Sequence, residues 1–330
     1  MIGVISIVEE IGELFMNIDK KEIIFLEPVF KEMIWGGNRL KTEFNYDIPS
    51  DHTGECWAIS AHKNGDCKVK NGAFQGKYLS ELFHNYKDEV FGGIGGEVFP
   101  LLIKIIDAKD DLSIQVHPDD EYAKREEQGS LGKTECWYIL DCKEDAAIVI
   151  GHTAKDKNEL RIRIENNEWK DLIREIPIKK GDFFQIDPGT VHAIKGGTVI
   201  LETQQNSDIT YRLYDYDRLQ NGEKRELHID KSIDVITCPH EDYKSERKVT
   251  RLEHGNVEEL VSCGYYTVKK IEVDGNLVLK QEEAFTIVSV REGEGTIDGT
   301  PVKKGDHFIL PFQYGDYSLD GTFTVILSYC

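Results

Sequence analysis

The chain has 330 residues, 40% hydrophobic and 30% charged, a composition typical of a globular protein with room for about two domains. Its 40 basic and 60 acidic residues give a net charge of −20, which argues against nucleic acid or an anionic membrane as the main partner. The seven cysteines contain no CxxC pair, so neither a zinc ribbon nor a tidy disulfide framework fits, and reduced thiols in a cytoplasmic protein are the simplest account.

Residues 1–20 contain a short apolar run, but no basic segment precedes it and glutamates interrupt it. We therefore expect neither a signal peptide nor a membrane span. Our hypothesis is that this segment is a frayed amphipathic leader outside the folded core, and that translation starts at Met16.

From residue 21 onward, short β-rich runs dominate the chain, with Gly, Asp, Asn and Pro between them. In chain order, the runs up to residue 204 read "IIFLEPVF", "ECWAISAH", "FPLLIKIIDA", "LSIQVH", "ECWYILD", "AAIVIGH", "DFFQI", "HAI" and "TVILETQ". Regular short strands with such punctuation predict a sandwich or barrel.

Two intervals, residues 76–93 and 155–176, have helical periodicity instead. Apolar residues at three- and four-residue spacing are Leu79, Leu82, Phe83 and Tyr86 in the first interval, and Leu160, Ile164, Trp169, Leu172 and Ile173 in the second. We expect both intervals to pack on the strands rather than to do chemistry.

An internal repeat indicates two related β units. Residues Ile176–Ile194 resemble Thr300–Leu319, because in both a Lys-Lys-Gly-Asp turn leads into an apolar strand and a loop that contains proline. The copies differ at His192, whose counterpart 124 residues later is Asp316. We predict a first, catalytic domain over residues 21–237 with the helical insertions, a polar connection at 238–256, and a C-terminal domain over 257–330 without metal ligands.

Four polar residues of the first unit suggest a metal site. Gln115 and His117 lie two apart in one predicted strand and share a face, Glu135 begins a later strand, and His192 follows a Pro-Gly turn. A lone histidine is usually structural, but two imidazoles, a carboxylate and an amide oxygen together suit Zn²⁺ or a similar divalent ion, one per chain. A site with one negative charge leaves the ion positive enough to act as a Lewis acid.

Three motifs carry a resemblance to a known family. The Gln-x-His-Pro, "GKTE" and Pro-Gly-Thr-x-His-Ala elements resemble the metal-binding elements of the type I mannose-6-phosphate isomerases, in the cupin superfamily. The resemblance covers essentially the whole chain apart from the leader, and the length is similar to the short bacterial form. It implies a mainly β fold of two cupin-type β-barrel (jelly-roll) units with a small number of inserted helices.

The resemblance also implies roles for residues at matching positions. Arg212 would be the catalytic arginine and Lys133 a second basic group at the substrate. Asp208 is a candidate acid/base, with His117 and a metal-bound water as alternative proton carriers. Ser113 resembles the family serine near the sugar phosphate, and Glu202 the family glutamate in the substrate site.

Several residues receive no functional role. After Arg212 the sequence departs from longer homologues, so no role is carried to Arg218. Glu55 and His62 are seven apart and face opposite ways on a straight strand, and we interpret them as structural, like His307 in the second copy.

The activity implied is the interconversion of mannose 6-phosphate and fructose 6-phosphate through a cis-enediol(ate). The expected partner is a small sugar phosphate, and a homo-oligomer is compatible with the sequence. One rival is a different metal-dependent cupin enzyme, such as another sugar-phosphate isomerase or an oxygenase. A non-catalytic sugar-binding or regulatory cupin is another, but it would lack one or more of His117, Glu135, His192 and Arg212, and all four are present.

Overall fold

The computed structural model describes residues 21–244 and 246–330, most of which belong to strands, short helices and tight turns. The predicted leader, residues 1–20, and the predicted start at Met16 lie outside the described residues. The prediction of a mainly β chain with a small number of inserted helices is confirmed.

The strands are numbered here in chain order. The first fifteen are β1 (Ile24–Glu27), β2 (Val29–Gly37), β3 (Thr53–Ile59), β4 (Ala61–His62), β5 (Gly65–Asp66), β6 (Lys68–Val69), β7 (Leu101–Ala108), β8 (Ile114–Val116), β9 (Glu135–Cys142), β10 (Ala147–His152), β11 (Ile173–Pro177), β12 (Phe183–Ile186), β13 (His192–Ile194), β14 (Thr198–Gln205) and β15 (Tyr211–Tyr214). The others are β16 (Leu219–Gln220), β17 (Glu223–Lys224), β18 (Lys248–Leu252), β19 (Gly255–Ser262), β20 (Thr267–Gln281), β21 (Thr286–Ile297), β22 (Thr300–Lys303), β23 (His307–Leu310) and β24 (Gly315–Tyr329).

The helices of the described chain are short. They are α1 (Arg39–Phe44), α2 (Leu79–Asn85), α3 (Lys87–Phe91), α4 (Asp120–Glu126), α5 (Lys157–Glu165), α6 (Trp169–Leu172) and α7 (Ile229–Val235), with a 3₁₀ turn at Gly72–Phe74.

Two antiparallel sheets form the body of the first unit. One has the order β12-β9-β14-β7-β2-β3 and the other β11-β10-β13-β8-β15. Apolar side chains of both sheets fill the space between them, among them Trp137 and Ile200 from the first and Ile148 and Ile194 from the second. Facing sheets of this kind direct every second side chain of each strand inward.

The C-terminal unit is a larger antiparallel sheet with the order β18-β19-β20-β24-β21-β23-β1-β6, in which β22 also pairs with β21. The long strands β20 and β24 pair over fifteen residues, from Thr267 opposite Tyr329 to Gln281 opposite Gly315. Strand β1, near the start of the described chain, pairs with both β23 and β6. The first described strand and the last strands of the chain therefore belong to one sheet.

The two helical intervals are helical in the structure. The first forms α2 and α3, which are separated at Tyr86, and its buried residues include Leu79, Leu82 and Phe83. The second forms α5 and α6, but Ile173 begins strand β11 rather than ending a helix. The segment between β8 and β9 contains α4, whose N-terminus is capped because the Asp119 carboxylate accepts a hydrogen bond from the Tyr122 amide.

The repeated Lys-Lys-Gly-Asp turns have the same local structure. Asp182 accepts a hydrogen bond from the Lys179 amide at 2.9 Å, and Asp306 accepts one from the Lys303 amide at 2.8 Å. The glycine of each turn has φ of 92°. Strands β12 and β23 follow these turns at equivalent positions.

Candidate active site

Three neighbouring strands of the five-stranded sheet place polar side chains in one row. His192 on β13 lies opposite Gln115 on β8, and Gln115 lies opposite Arg212 on β15. Directly paired residues of antiparallel strands project to the same face. Sequence alone placed Gln115 beside His117, but it did not specify which strands would flank them.

The facing sheet completes a compact cluster of ligating atoms. The Nε2 atoms of His117 and His192 are 3.1 Å apart. The Glu135 carboxylate, at the start of β9, lies 3.4 Å from His117 Nε2 and 3.5 Å from His192 Nε2. The three side chains are almost completely buried, and one ligand atom from each lies within 4.8 Å of the other two.

The hydrogen bonds of the two imidazoles suit metal ligation. His117 Nδ1 lies 2.8 Å from the Ile209 carbonyl oxygen, and His192 Nδ1 lies 2.8 Å from the Thr190 carbonyl oxygen. Donation from Nδ1–H to these carbonyls leaves the Nε2 lone pairs directed at one another and at Glu135. A cation between them would satisfy both lone pairs and the carboxylate.

Protonation at this cluster follows from burial and charge. Burial, reinforced by the positive charge of Lys133, lowers the pKa of His117 to about 3, and burial also lowers the pKa of His192. Burial opposes ionisation of Glu135, but the positive charge of Lys133 is the largest opposing cause, and the pKa of Glu135 is held well below the usual range. Neutral imidazoles and an ionised carboxylate are the forms that bind a divalent metal.

Gln115 lies at the edge of this cluster. Its amide nitrogen is 3.3 Å from His192 Nε2, and its amide oxygen is 3.4 Å from the Ser113 hydroxyl. Rotation of the Gln115 side-chain amide by about 180° exchanges its nitrogen and oxygen. The oxygen, which is the ligating atom, then faces the cluster. The four residues predicted as metal ligands are therefore neighbours in space.

A cavity of about 410 Å³ lies next to the cluster. Gln115 and Lys133 line it and also contact the cluster, since Lys133 Nζ is 2.8 Å from Glu135. The predicted substrate and catalytic residues Ser113, Glu202, Asp208 and Arg212 line the same cavity. The structure thus brings every predicted site residue to the cavity or to the cluster beneath it.

The opposite wall holds a buried cation that sequence reasoning missed. Lys104 on β7 lies opposite Glu202 on β14, and its Nζ is 3.6 Å from Glu202 and 3.8 Å from Glu55. Burial lowers the pKa of Lys104, but these two glutamates outweigh it and raise the pKa overall. The sequence contained a signal for this buried cation, a lysine within the apolar run "FPLLIKIIDA". Lysine is almost never fully buried unless it is paired with an acidic group.

Glu55 was interpreted as structural, yet it lines the cavity. Its carboxylate accepts a hydrogen bond from the Trp57 indole at 2.6 Å and reaches Lys104 across neighbouring strands. The structural interpretation of Glu55 assumed that Glu55 and His62 lie on one straight strand. In the structure, β3 ends at Ile59 and a separate strand, β4, carries His62.

Asp208 lies on the exposed rim of the cavity. Its carboxylate accepts a hydrogen bond from the Asn64 amide at 3.1 Å. Desolvation raises its pKa, but the charge of Lys104 and the bond from Asn64 outweigh this and lower the pKa overall. Asp208 is therefore an ionised carboxylate at neutral pH.

His307 is buried in the C-terminal sheet and lies 2.8 Å from the Ser289 hydroxyl through Nδ1. Burial lowers its pKa to about 3. In the described chain, the one group of at least three His, Cys, Asp or Glu side chains close enough to hold a metal is the His117 cluster.

Comparison with known proteins agrees with this geometry. Residues 23–153 match the family model for the catalytic domain of type I phosphomannose isomerase, and residues 256–330 match the mannose-6-phosphate isomerase cupin domain. The mannose-6-phosphate isomerase ManA of Bacillus subtilis is 50% identical over 313 residues, which are 93% of this chain and 99% of that protein. The Streptococcus mutans mannose-6-phosphate isomerase is 47% identical over 313 residues, 93% of this chain and 98% of that protein.

A solved structure has the same fold. The crystal structure of the mannose 6-phosphate isomerase from Bacillus subtilis superposes with a TM-score of 0.92 at 50% identity, over 93% of this chain and 99% of that one. The predicted cupin fold is thereby confirmed. Motifs, geometry and relatives agree that the chain is an enzyme of the type I mannose-6-phosphate isomerase family.

Proposed function

We propose that this chain interconverts mannose 6-phosphate and fructose 6-phosphate at the cavity beside the His117 cluster. One observation carries the proposal: a buried set of metal-ligating atoms adjoins a cavity whose walls hold Lys104, Lys133 and Arg212. Cations concentrated in a cleft attract an anionic substrate in spite of the overall charge of −20, because salt screens distant surface charges over about 8–10 Å.

We propose Zn²⁺ as the metal, held by Gln115, His117, Glu135 and His192. Nitrogen and oxygen ligands that carry a single negative charge suit this ion at a catalytic site. When bound, it supplies a Lewis acid that holds the sugar hydroxyls and polarises their oxygens.

Arg212 is the proposed stabiliser of the enediolate. Isomerisation moves a proton from C2 to C1, and negative charge develops on the sugar oxygens between these steps. Arg212 is half-buried and adjoins Gln115 across β8 and β15. Burial and then the charge of Arg225 lower its pKa, but a guanidinium stays protonated at neutral pH. A cation fixed at the developing charge commonly contributes a few kcal/mol.

Asp208 is the proposed carrier of the proton. It is ionised, lies on the rim of the same cavity and is oriented by Asn64. His117, an alternative base, has Nδ1 at the Ile209 carbonyl and Nε2 in the ligand cluster, so neither nitrogen is available to the substrate when a metal is bound. This geometry supports Asp208.

The other predicted residues have supporting positions. Lys133 balances Glu135 and lines the cavity, so we propose that it contacts the substrate oxygens as a second cation. The Glu202 carboxylate accepts a hydrogen bond from the Trp137 indole at 3.0 Å and approaches Lys104, so we propose that it shapes the wall and binds sugar hydroxyls. Ser113, beside Gln115, would bind near the phosphate end.

A coupled assay tests the proposal. Fructose 6-phosphate formation from mannose 6-phosphate is followed before chelation, after chelation and after return of Zn²⁺ or another divalent ion. We expect activity to disappear on chelation and to return with the metal. Fully metallated, folded protein without isomerase activity would refute the proposed reaction.

We further propose that the protein works in the cytoplasm, and that a catalytic domain spans residues 21–237 and a C-terminal domain 257–330, with β1 and β6 of the first range and β18 of the connection added to the C-terminal sheet. All seven cysteines are unbridged, which supports a reducing compartment. Among the described residues, no helix is both long and apolar enough to cross a membrane.

A further inference from the structure

Arg225 is a second arginine at the cavity, and no role was carried to it from sequence. It directly follows β17, is only 12% exposed in its side chain, and lines the cavity with Arg212. Asp215, which directly follows β15, accepts hydrogen bonds from Arg225 Nε at 2.7 Å and from Arg225 Nη2 at 2.6 Å. The guanidinium is thus held along one edge by a buried carboxylate.

Asp215 is itself anchored. It is 5% exposed and also accepts a hydrogen bond from Arg218, whose other Nη donates to the Asp111 carbonyl oxygen. Because Asp215 occupies two of the five N–H donors of Arg225, three remain. Within the described residues, the guanidinium of Arg225 has hydrogen bonds to Asp215 alone. A second two-donor edge of Arg225 is therefore preorganised for another acceptor.

Strand register puts this arrangement at one end of the cavity. Arg212 pairs with Gln115, and Tyr214 pairs with Ile114, so Asp215 lies near the Ser113 end of β8. The His117 cluster lies at the other side of Gln115 along that strand. A substrate with its reacting carbons at the cluster would direct its far end towards Arg225.

The charges at this end are unbalanced. Arg212, Arg218 and Arg225 contribute three positive charges and Asp215 is, among the described residues, the one buried carboxylate beside them, whereas the other two acids that act on Arg212 are exposed. Asp208 and Glu226 also act on Arg212, but burial and Arg225 dominate and its pKa is lowered. In the described chain, Arg212 Nε is buried without a hydrogen-bond partner. A phosphate monoester carries about −1.5 to −2 at pH 7 and offers three acceptor oxygens.

We propose that the free edge of Arg225 binds the phosphate group of the substrate, and that Asp215 is a positioning residue for Arg225. Arginine forks match phosphate oxygens through two parallel hydrogen bonds. The inference rests on the proposed function for the identity of the sugar, but the phosphate site is a property that binding measures directly. Arg225 would thereby select phosphorylated over free sugars.

The test compares Arg225→Gln, Arg225→Lys and Asp215→Asn with the wild type. Lys224→Gln is the matched control, since Lys224 is the preceding residue, is exposed and pairs with Asp217 outside the cavity. For each protein, calorimetry measures the Kd of inorganic phosphate, the coupled assay measures kcat and KM for mannose 6-phosphate, and thermal unfolding checks the fold.

Arg225→Gln should weaken phosphate binding and raise KM by about 30–100-fold, because two charge-assisted hydrogen bonds are lost. Arg225→Lys keeps the positive charge but cannot form two parallel hydrogen bonds to phosphate. It should weaken phosphate binding and raise KM by about 5–10-fold. Asp215→Asn should raise KM about tenfold with kcat within about threefold, a split that a merely structural role would not give. Lys224→Gln should match the wild type.

Binding distinguishes this inference from the proposed reaction. If the wild-type protein binds phosphate through Arg225 but has no isomerase activity, the proposed reaction is refuted and the phosphate site still stands. Phosphate Kd and KM that stay within twofold in Arg225→Gln would overturn the site, and so would wild-type protein that does not bind phosphate. If Arg225→Gln does not fold, Arg225→Lys decides by the same measurements.

Discussion

The histidines of the cluster are oriented by backbone carbonyls rather than by other side chains. The Ile209 and Thr190 carbonyls fix His117 and His192 through Nδ1. Second partners of this kind set which imidazole nitrogen meets a metal and how the ring is turned. The ligand cluster is therefore preorganised, while the proposed proton carrier, Asp208, lies apart from it on the cavity rim.

Asp208→Asn separates proton transfer from binding. If the carboxylate carries the proton, kcat should fall by about 10²–10⁴-fold, the range for loss of a general base, while metal content and thermal stability stay unchanged. Steady-state kinetics with mannose 6-phosphate gives the loss, and Asp217→Asn, an exposed acid in the following turn, serves as the control. A decrease in kcat of less than tenfold would exclude the aspartate.

The loop between β12 and β13 positions His192 through contacts at a glycine. The Gly189 amide donates to the His117 carbonyl at 2.9 Å, and the Gly189 carbonyl accepts from the Thr237 amide at 3.0 Å. Gly189 has φ of +84°, and a Cβ there would lie 2.5 Å from Thr237 Oγ1 and 2.8 Å from the Val235 carbonyl. The loop therefore links two of the proposed metal ligands to the end of α7.

Gly189→Ala should displace this loop. We expect it to lower the free energy of unfolding by about 2–4 kcal/mol, from left-handed strain plus overpacking, and to reduce metal content after dialysis. Gly76→Ala is the control, since Gly76 has φ of +86° but nothing within 4 Å of its Cβ position, so only about 1–2 kcal/mol of strain should appear. Equal destabilisation and equal metal content in the two variants would show that the close contacts are unimportant.

In the C-terminal sheet, the turn between β21 and β22 is held by a carboxylate. Asp298 accepts hydrogen bonds from the Ser318 amide at 2.8 Å, the Ser318 hydroxyl at 3.1 Å and the Tyr314 hydroxyl at 3.0 Å. Burial raises its pKa, but the bonds from Ser318 and Tyr314 outweigh this and lower the pKa overall. The ionised form is therefore favoured in the folded state.

Asp298→Asn should cost about 1 kcal/mol of unfolding free energy at pH 7. Since the folded pKa lies below the unfolded value of about 3.9, the carboxylate contribution is complete above that pH and is lost as pH falls through the folded pKa. Urea unfolding at a series of pH values should show wild type and variant converging below about pH 4. Asp320→Asn, an exposed acid on β24, should show no such effect, and a pH-independent difference for Asp298→Asn would contradict the explanation.

The two units of the chain share a buried core. Four aromatic rings meet where the helical insertion contacts the C-terminal sheet, and Phe285 lies 5.6 Å from Phe91 and 5.2 Å from Phe99 between ring centroids. Thr203 of β14 and Ser328 of β24 add a buried hydroxyl contact of 3.1 Å. Together with the pairing of β1 and β23, these contacts couple the C-terminal sheet to the part that carries the site.

Phe285→Ala should therefore destabilise the whole molecule. Truncation of a fully buried phenylalanine costs about 3–5 kcal/mol, which thermal and urea unfolding would detect. Because Phe285 does not line the cavity, kcat/KM of the folded protein should stay within about threefold. Val278→Ala, at a position 62% exposed, should change the unfolding free energy by less than about 0.5 kcal/mol, and equal effects of the two variants would refute the shared core.

Much of the site follows from local sequence. The two-residue spacing of Gln115 and His117 is a property of any strand, and the Pro-Gly turn before His192 is readable without a fold. Strand periodicity and turn residues likewise predict a mainly β chain, and the repeated Lys-Lys-Gly-Asp turns identify its two units. Each of these signals depends on residues within a few positions of one another.

Tertiary structure alone decided which distant segments became neighbours. The row of His192, Gln115 and Arg212 depends on strand order and register, and the pairing of Lys104 with Glu202 depends on β7 and β14 lying side by side. The hold of Asp215 on Arg225 depends on how the chain turns back after β15. Such long-range pairings reflect the burial of whole sheet faces, a collective energy that no short stretch of sequence contains.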